Sequence, residues 1–283
     1  MAINSRENRE QQQDLINIKR VISSKNPALL KVIPWFIIKY LEKITHQDDI
    51  NKFINDHKEI KGIAFAHAIL KSYQVSFESH GLENIDANGR YLFAANHPLG
   101  GVDGIALIAS AGEKFTDLKF PVNDILMNIK GLDSIFLPIN KHGGHPKEAA
   151  KLLEKAYASA SQILMFPAGL VSRKQKGGVI KDLEWKKSFV KKAIQHKRDI
   201  VPVHITGKNS NFFYNLANIR KKAGIKANIE MLYLADEFYK QKGEKLNIRY
   251  GTPIPHDRLK SSESVLHWTQ KIKEIVYDLP KIN

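Results

Sequence analysis

Tyr91-Leu-Phe-Ala-Ala-Asn96-His97-Pro98-Leu99-Gly100-Gly101-Val102-Asp103-Gly104-Ile105-Ala-Leu-Ile108 is the stretch on which the reading of the chain turns. It begins as a short apolar run, the pattern of a buried strand. Asn96-His97-Pro98 breaks the run, two glycines follow, and an apolar helical pattern resumes at Ile105. A strand, a sharp polar turn and a helix put His97 at the carboxyl end of a strand, where open α/β sheets carry their chemistry. Asp103 falls at the start of the helix, close enough to orient the imidazole. The plain alternative for the same two residues is a turn cap and a helix cap.

Outward from this stretch, short strands alternate with helical patterns. Val75–Ser79, Lys119–Val122, Ile135–Ile139, Ile163–Phe166, Ile200–Ile205, Ile229–Leu234 and Leu246–Tyr250 read as strands. Pro146–Ala158 and Trp185–Gln195 read as helices, and Ser262–Leu279 as a closing helix opened by Ser261 or Ser262. Such alternation predicts an α/β domain with a mainly parallel central sheet flanked by helices. Residues 1–74 read instead as a helical segment, placing the α/β domain at 75–283. Within that segment, Pro27–Leu41 carries Trp35, Phe36, Ile37, Ile38, Tyr40 and Leu41, interrupted by Lys31 and Lys39. So wide an apolar face fits a helix docked in a membrane interface with its lysines reaching outward. An ordinary helix packed on the domain is the alternative.

The 283 residues have a formal net charge of +15, 43% apolar residues and no cysteine. The charge points to an anionic partner. Thiol nucleophiles, disulfides and thiolate metal sites are excluded, in keeping with a cytoplasmic protein. There is no apolar run long enough for a transmembrane helix, and Met1–Gln13 is too polar for a secretory signal. Nucleic-acid motifs are not visible, so no nucleic acid is expected. His142-Gly-Gly-His145 has no further ligand cluster, and no metal is expected there. Neither a P-loop nor a Gly-x-Ser-x-Gly elbow is present.

Four blocks in order carry a resemblance. Asn96-His97 with Asp103 resembles the first motif of the lysophospholipid (glycerolipid) acyltransferase family, with one residue more between His and Asp. Gly131-Leu-Asp-Ser-Ile-Phe136-Leu-Pro-Ile-Asn-Lys141 resembles the second, with Lys141 in place of the usual Arg. Ile163-Leu-Met-Phe166-Pro167-Ala168-Gly169-Leu-Val-Ser172-Arg173 resembles the Phe-Pro-Glu-Gly motif, with Ala168 where the family has Glu and the Arg displaced by two positions. Ile200-Val-Pro-Val-His204-Ile resembles the Val-Pro-Val strand that walls the site, and His204 is read as structural. Trp185-Lys186-Lys187-Ser188 resembles the aromatic-Lys-Lys helix start that follows the third motif.

The resemblance, spanning residues 75–207, implies an O-acyltransferase. A fatty acyl group passes from a thioester of acyl carrier protein or coenzyme A, a co-substrate rather than a bound cofactor, to the hydroxyl of a lysolipid. His97 would be the general base and Asp103 its orienting carboxylate. Asn96, Lys141, Phe166, Pro167, Gly169, Ser172 and Arg173 would contact substrate. Glycine placement alone, apart from the resemblance, suggests that N–H groups around Gly100 and Gly101, or at Gly169, hold the oxyanion. Because Ala168 replaces Glu, the acceptor head group stays open between a phosphate and an amino acid. Residues 173–192 carry eight cations, Arg173, Lys174, Lys176, Lys181, Lys186, Lys187, Lys191 and Lys192, against Asp182 and Glu184. They flank the expected pocket and suit an anionic membrane surface or an acidic carrier protein. The protein is thus expected to act peripherally at the inner face of the membrane. The rival readings are a non-enzymatic basic protein that binds membrane or nucleic acid, and a lipid hydrolase using the same base on water.

Overall fold

The structure, a computed structural model, describes residues 16–123, 126–139, 146–260 and 263–281. Nine strands are described: β1 (Ser76–His80), β2 (Tyr91–Ala95), β3 (Leu118–Val122), β4 (Phe136–Pro138), β5 (Gln162–Met165), β6 (Arg173–Lys174), β7 (Ile180–Lys181), β8 (Asp199–Ile205) and β9 (Lys245–Tyr250). The helices are α1 (Ile18–Lys25), α2 (Pro27–Val32), α3 (Trp35–Ile44), α4 (Gln47–Asp56), α5 (Gly62–Ser72), α6 (Gly101–Gly112), α7 (Pro146–Ala158), α8 (Ser188–His196), α9 (Asn211–Lys222), α10 (Leu234–Tyr239) and α11 (Val265–Asp278). Seven strands form one sheet in the order β1-β9-β8-β2-β5-β3-β4. Every neighbouring pair in it is parallel except β8 and β9. The strands β6 and β7 make a separate antiparallel ribbon.

Strand β2 lies in the middle of the sheet, and all of it is buried. Its apolar residues are continuous because both faces are covered. Tyr91, Phe93 and Ala95 join the core layer of α5 and α6, and Leu92 and Ala94 join the layer of α7, α8 and α11. Helix α6, pressed between the sheet and α5, buries nearly all of Val102–Ala111, as expected of a helix apolar all round. Helix α5 precedes residue 75, yet it contributes Phe65, Ala66, Ile69 and Leu70 to this core.

Two sequence expectations need correction. Ile229–Leu234 is not a strand: residues Ile229–Tyr233 form a 3-10 turn that leads into α10. The one charged residue of this apolar run, Glu230, is buried and gripped by two arginines. The closing helix is capped by Ser264, whose Oγ accepts the His267 N–H at 3.1 Å. Ser261 and Ser262 lie outside the described residues, as do Lys141, His142 and His145. Among the described residues, no helix is long and apolar enough to cross a membrane.

The amino end of β2 is closed by Arg198. Its guanidinium is fully buried and donates to the carbonyls of Tyr91, Ala156, Tyr157, Ser159 and Ser161. Burial, helped by the neighbouring charge of Arg90, lowers Arg198 to about 10, so it stays charged at neutral pH.

Candidate active site

At the carboxyl end of β2 the chain turns through His97-Pro98-Leu99-Gly100 into α6. The His97 Nδ1 lies 3.1 Å from Asp103 Oδ2. Asp103 is fully buried, and its Oδ2 also accepts the N–H groups of Leu99 (2.8 Å) and Gly100 (3.2 Å), while Oδ1 accepts that of Gly104 (2.9 Å). These donors, together with the amino end of α6, complement the charge of the carboxylate. A carboxylate that accepts at both oxygens makes Nδ1 the donor and leaves Nε2 as the basic nitrogen. The one-residue-longer spacing therefore still closes, because Gly100 adopts φ +95°, a conformation that L side chains rarely take. A side chain at Gly100 would also meet Leu234 on α10 at 2.9 Å.

Phe166, at the end of β5, stacks on the imidazole with centroids 3.9 Å apart and planes 15° from parallel. It shields one face of the ring. The His97 side chain keeps 14% exposure, so the ring is not sealed from the solvent.

The other residues singled out in the sequence divide sharply. Asn96 clamps two strand ends: its Nδ2 donates to the Ile205 carbonyl and its Oδ1 accepts the Ile205 N–H. Ser172 donates its hydroxyl to Asp182 at 2.6 Å, and its N–H to the His97 carbonyl at 2.7 Å. Arg173 is buried, with Nη2 2.8 Å from Glu230 and Nη1 2.6 Å from the Val171 carbonyl, beside the Phe213 ring. Burial lowers the Arg173 guanidinium from its usual value, against the opposing pull of Glu230. The displaced Arg of the third motif is thus engaged inside the protein and joins the site to the 229–233 turn. The Gly100 N–H, read as an oxyanion donor, is directed at Asp103. Gly101 packs beside Phe238, where a Cβ would approach to 3.0 Å. Pro167 is buried and its carbonyl accepts the Lys186 N–H, while the Gly169 N–H donates to the Phe166 carbonyl. Ala168 is buried in the same apolar cluster as Trp185.

The sequence does not mark two residues as part of the site. Asp182 opens the stretch that leads to Trp185-Lys186-Lys187 and stands as a counter-charge in a basic run, yet it is fully buried and holds the site from behind. Its Oδ1 accepts the His97 backbone N–H (3.1 Å) and the Ser172 hydroxyl, its Oδ2 accepts Trp185 Nε1 (2.9 Å), and its own N–H donates to Tyr277 Oη (2.7 Å). The available signal was the indole at Trp185, three residues on. Lys186 is the second: a Cβ on Gly169 would come within 2.8 Å of Lys186 Nζ, so the exposed ammonium sits over the third-motif turn. His204 is held neutral, with burial and the nearby Arg249 charge lowering it to about 4. Its Nδ1 has no hydrogen-bond partner among the described residues.

A buried carboxylate on one imidazole nitrogen, with the ring partly exposed at a strand end, defines a general-base site. The family model for acyltransferases matches residues 20–281, and the chain belongs to that family and is an acyltransferase. Two relatives are named lyso-glycine lipid O-acyltransferase. The one from Bacteroides thetaiotaomicron is 47% identical over 266 residues, which is 94% of this chain and 97% of the relative. That from Phocaeicola vulgatus is 46% identical over 266 residues, 94% of this chain and 95% of the relative. Among solved structures, the 1-acyl-sn-glycerophosphate acyltransferase PlsC from Thermotoga maritima aligns with a TM-score of 0.46 at 14% identity, over 77% of this chain and 82% of that one.

Proposed function

We propose that the chain transfers a fatty acyl group from a thioester to the hydroxyl of a lyso-glycine lipid. The observation that carries the chemistry is the His97 Nδ1–Asp103 Oδ2 contact at the end of β2. The acceptor class is supported by the names of two relatives that match this chain over nearly all of their own length. Ala168, where the motif it resembles has Glu, agrees with a different head group.

In this reading Nε2 of His97 takes the proton of the acceptor hydroxyl as its oxygen attacks the thioester carbonyl. Asp103 fixes the tautomer and stabilises the imidazolium, and Phe166 adds its ring face. The tetrahedral intermediate collapses, the C–S bond breaks, and the departing thiolate takes the proton from Nε2. The products are the O-acylated lipid and the free thiol of coenzyme A or of the carrier's prosthetic arm. His97, Asp103 and Phe166 are the residues we assign to chemistry. Asn96, Ser172 and Arg173 hold the loops that carry them. Lys186 is assigned to the glycine carboxylate. The acceptor is met at an anionic membrane surface, to which a +15 chain is drawn. The exposed Trp35 and Phe36 enter its interface, at the cytoplasmic leaflet.

The test is turnover by purified protein of lyso-glycine lipid and of lysophosphatidate, each with acyl carrier protein and coenzyme A thioesters, read by mass spectrometry. Diacylated glycine lipid as the main product supports the reading. Free fatty acid released at the same rate without an acceptor would identify a hydrolase instead, and preference for lysophosphatidate would remove the glycine lipid.

A further inference from the structure

The turn Ile229–Tyr233 and helix α9 carry an apolar surface that the catalytic reading does not use. Phe212 is 49% exposed, Ile219 63% and Leu232 46%. Phe212 and Ile219 are seven residues apart, so they share one face of α9, opposite the buried Phe213, Tyr214 and Ala217. This surface is joined to the exposed face of α3. Tyr40 and Tyr233 share a hydrogen bond between their hydroxyls at 2.8 Å, and Phe212 packs edge-on against Tyr233 at 5.0 Å. The rim is basic: Lys221, Lys222 and Lys226 are exposed, and the Lys240 ammonium lies 5.8 Å from the centre of the Phe212 ring.

The same segment reaches the catalytic turn. Leu234 follows Tyr233 directly and packs on Gly100, and Phe238 packs on Gly101. Glu237 ties α10 to the start of α9 by accepting both the Ser210 N–H and its hydroxyl at 2.6 Å. Arg173, from the third-motif loop, and Arg220, from α9, converge on the buried Glu230. What touches this surface therefore has a rigid connection to the His97 loop.

We propose that residues 211–233 form a second half of the membrane-docking face. The first half is α3, and the joint surface fixes the angle at which the site meets the bilayer. This rests on the proposed action on a membrane lipid. The occupant is an anionic lipid bilayer: large apolar side chains from two distant segments form one face with a lysine rim, the composition that favours an interface with acidic head groups. An acidic carrier protein is the competing occupant.

The chain has no cysteine, so single cysteines can be placed and labelled with an environment-sensitive fluorophore. Phe212→Cys, Ile219→Cys and Leu232→Cys are compared with Trp35→Cys on α3 and Ala87→Cys, which is exposed before the amino end of β2. Each is titrated with vesicles of phosphatidylglycerol and phosphatidylcholine, and with acyl carrier protein. Circular dichroism and the melting midpoint confirm the fold of each labelled protein. The expected result is a blue shift with anionic vesicles at 212, 219, 232 and 35, none at 87, and loss of the shift in high salt. A shift at 35 alone would overturn the second half while leaving membrane docking in place. No shift anywhere would overturn both. Shifts at 212 and 219 with the carrier protein and not with vesicles would make this face a carrier site instead. As a second arm, Ile219→Ser and Leu232→Ser together should reduce cosedimentation with anionic vesicles at least about tenfold, and binding equal to the parent would contradict the proposal.

Discussion

At the amino end of β2 a buried cation, Arg198, is surrounded by five carbonyl oxygens. At the carboxyl end two buried carboxylates, Asp103 and Asp182, are surrounded by N–H and O–H donors, and both hold His97. Each arrangement satisfies a buried charge with hydrogen bonds, as a folded interior requires. The difference lies in what is left over. All the partners of Arg198 are backbone carbonyls. The carboxylates close around a ring that stays partly exposed. The same physics serves stability below and chemistry above, and this division can be broken experimentally.

The largest effect should come from Asp103→Asn. One of the donors now satisfied by the carboxylate would face an amide N–H, and the imidazole would lose its fixed tautomer. Turnover should fall by at least about a hundredfold, with the melting midpoint much less affected. Arg198→Ala should do the reverse. It strips donors from several buried carbonyls and should destabilise the protein by about 2–5 kcal/mol, while kcat per folded molecule stays within about twofold. Urea titration read beside single-turnover rates checks both, and a large kcat loss in folded Arg198→Ala protein would erase the contrast.

Asp182 tests the contrast from within the catalytic end. Asp182→Asn keeps an oxygen for the His97 N–H and the Ser172 hydroxyl but turns an amide donor toward Trp185 Nε1. It should lower kcat about tenfold and also lower stability. Adding Trp185→Phe removes the donor clash, and the double variant should recover at least half of the lost melting temperature. Independent, additive effects in that cycle would show that the indole contact is idle.

Lys186→Ala should raise KM for an acceptor with a free carboxylate about tenfold, and leave KM for its methyl ester unchanged. Equal KM changes for the two acceptors would take Lys186 away from the head group.

The effect furthest from the chemistry concerns His204. Its folded-state value, about 4, lies below the 6.5 of a free imidazole. Its contribution to stability is present above pH 6.5 and is lost as pH falls toward 4, because only the unfolded chain takes up the proton in that window. The slope is on the order of 1 kcal/mol per pH unit. His204→Asn should flatten the pH dependence of the melting temperature between pH 6.5 and 4. An unchanged slope would exclude this histidine.

The sequence carried the sheet and the His97–Asp103 pair because both depend on local pattern. A fully apolar strand, a polar turn and a helix follow one another within eighteen residues. What it did not carry depends on partners far away in the chain. Arg173 looked like an anion contact until Glu230, fifty-seven positions on, was found to hold it. Asn96 looked like a substrate contact, but its amide is matched to the backbone of Ile205. Asp182 looked like a surface counter-charge, because nothing in a run of lysines marks one carboxylate as buried. Ile229–Leu234 looked like a strand, because a short apolar run alone cannot tell a strand from a turn whose acidic residue is paired inside.

The account rests on His97 as the base, and its most direct measurement is the rate of acyl transfer to lyso-glycine lipid by His97→Ala protein at saturating thioester. Circular dichroism and urea titration would establish that the variant is folded. A loss of at least about a hundredfold in kcat, with acceptor KM within about threefold of the parent, is the expected result. Turnover close to that of the parent by folded His97→Ala protein would contradict the mechanism, whatever the remaining variants show.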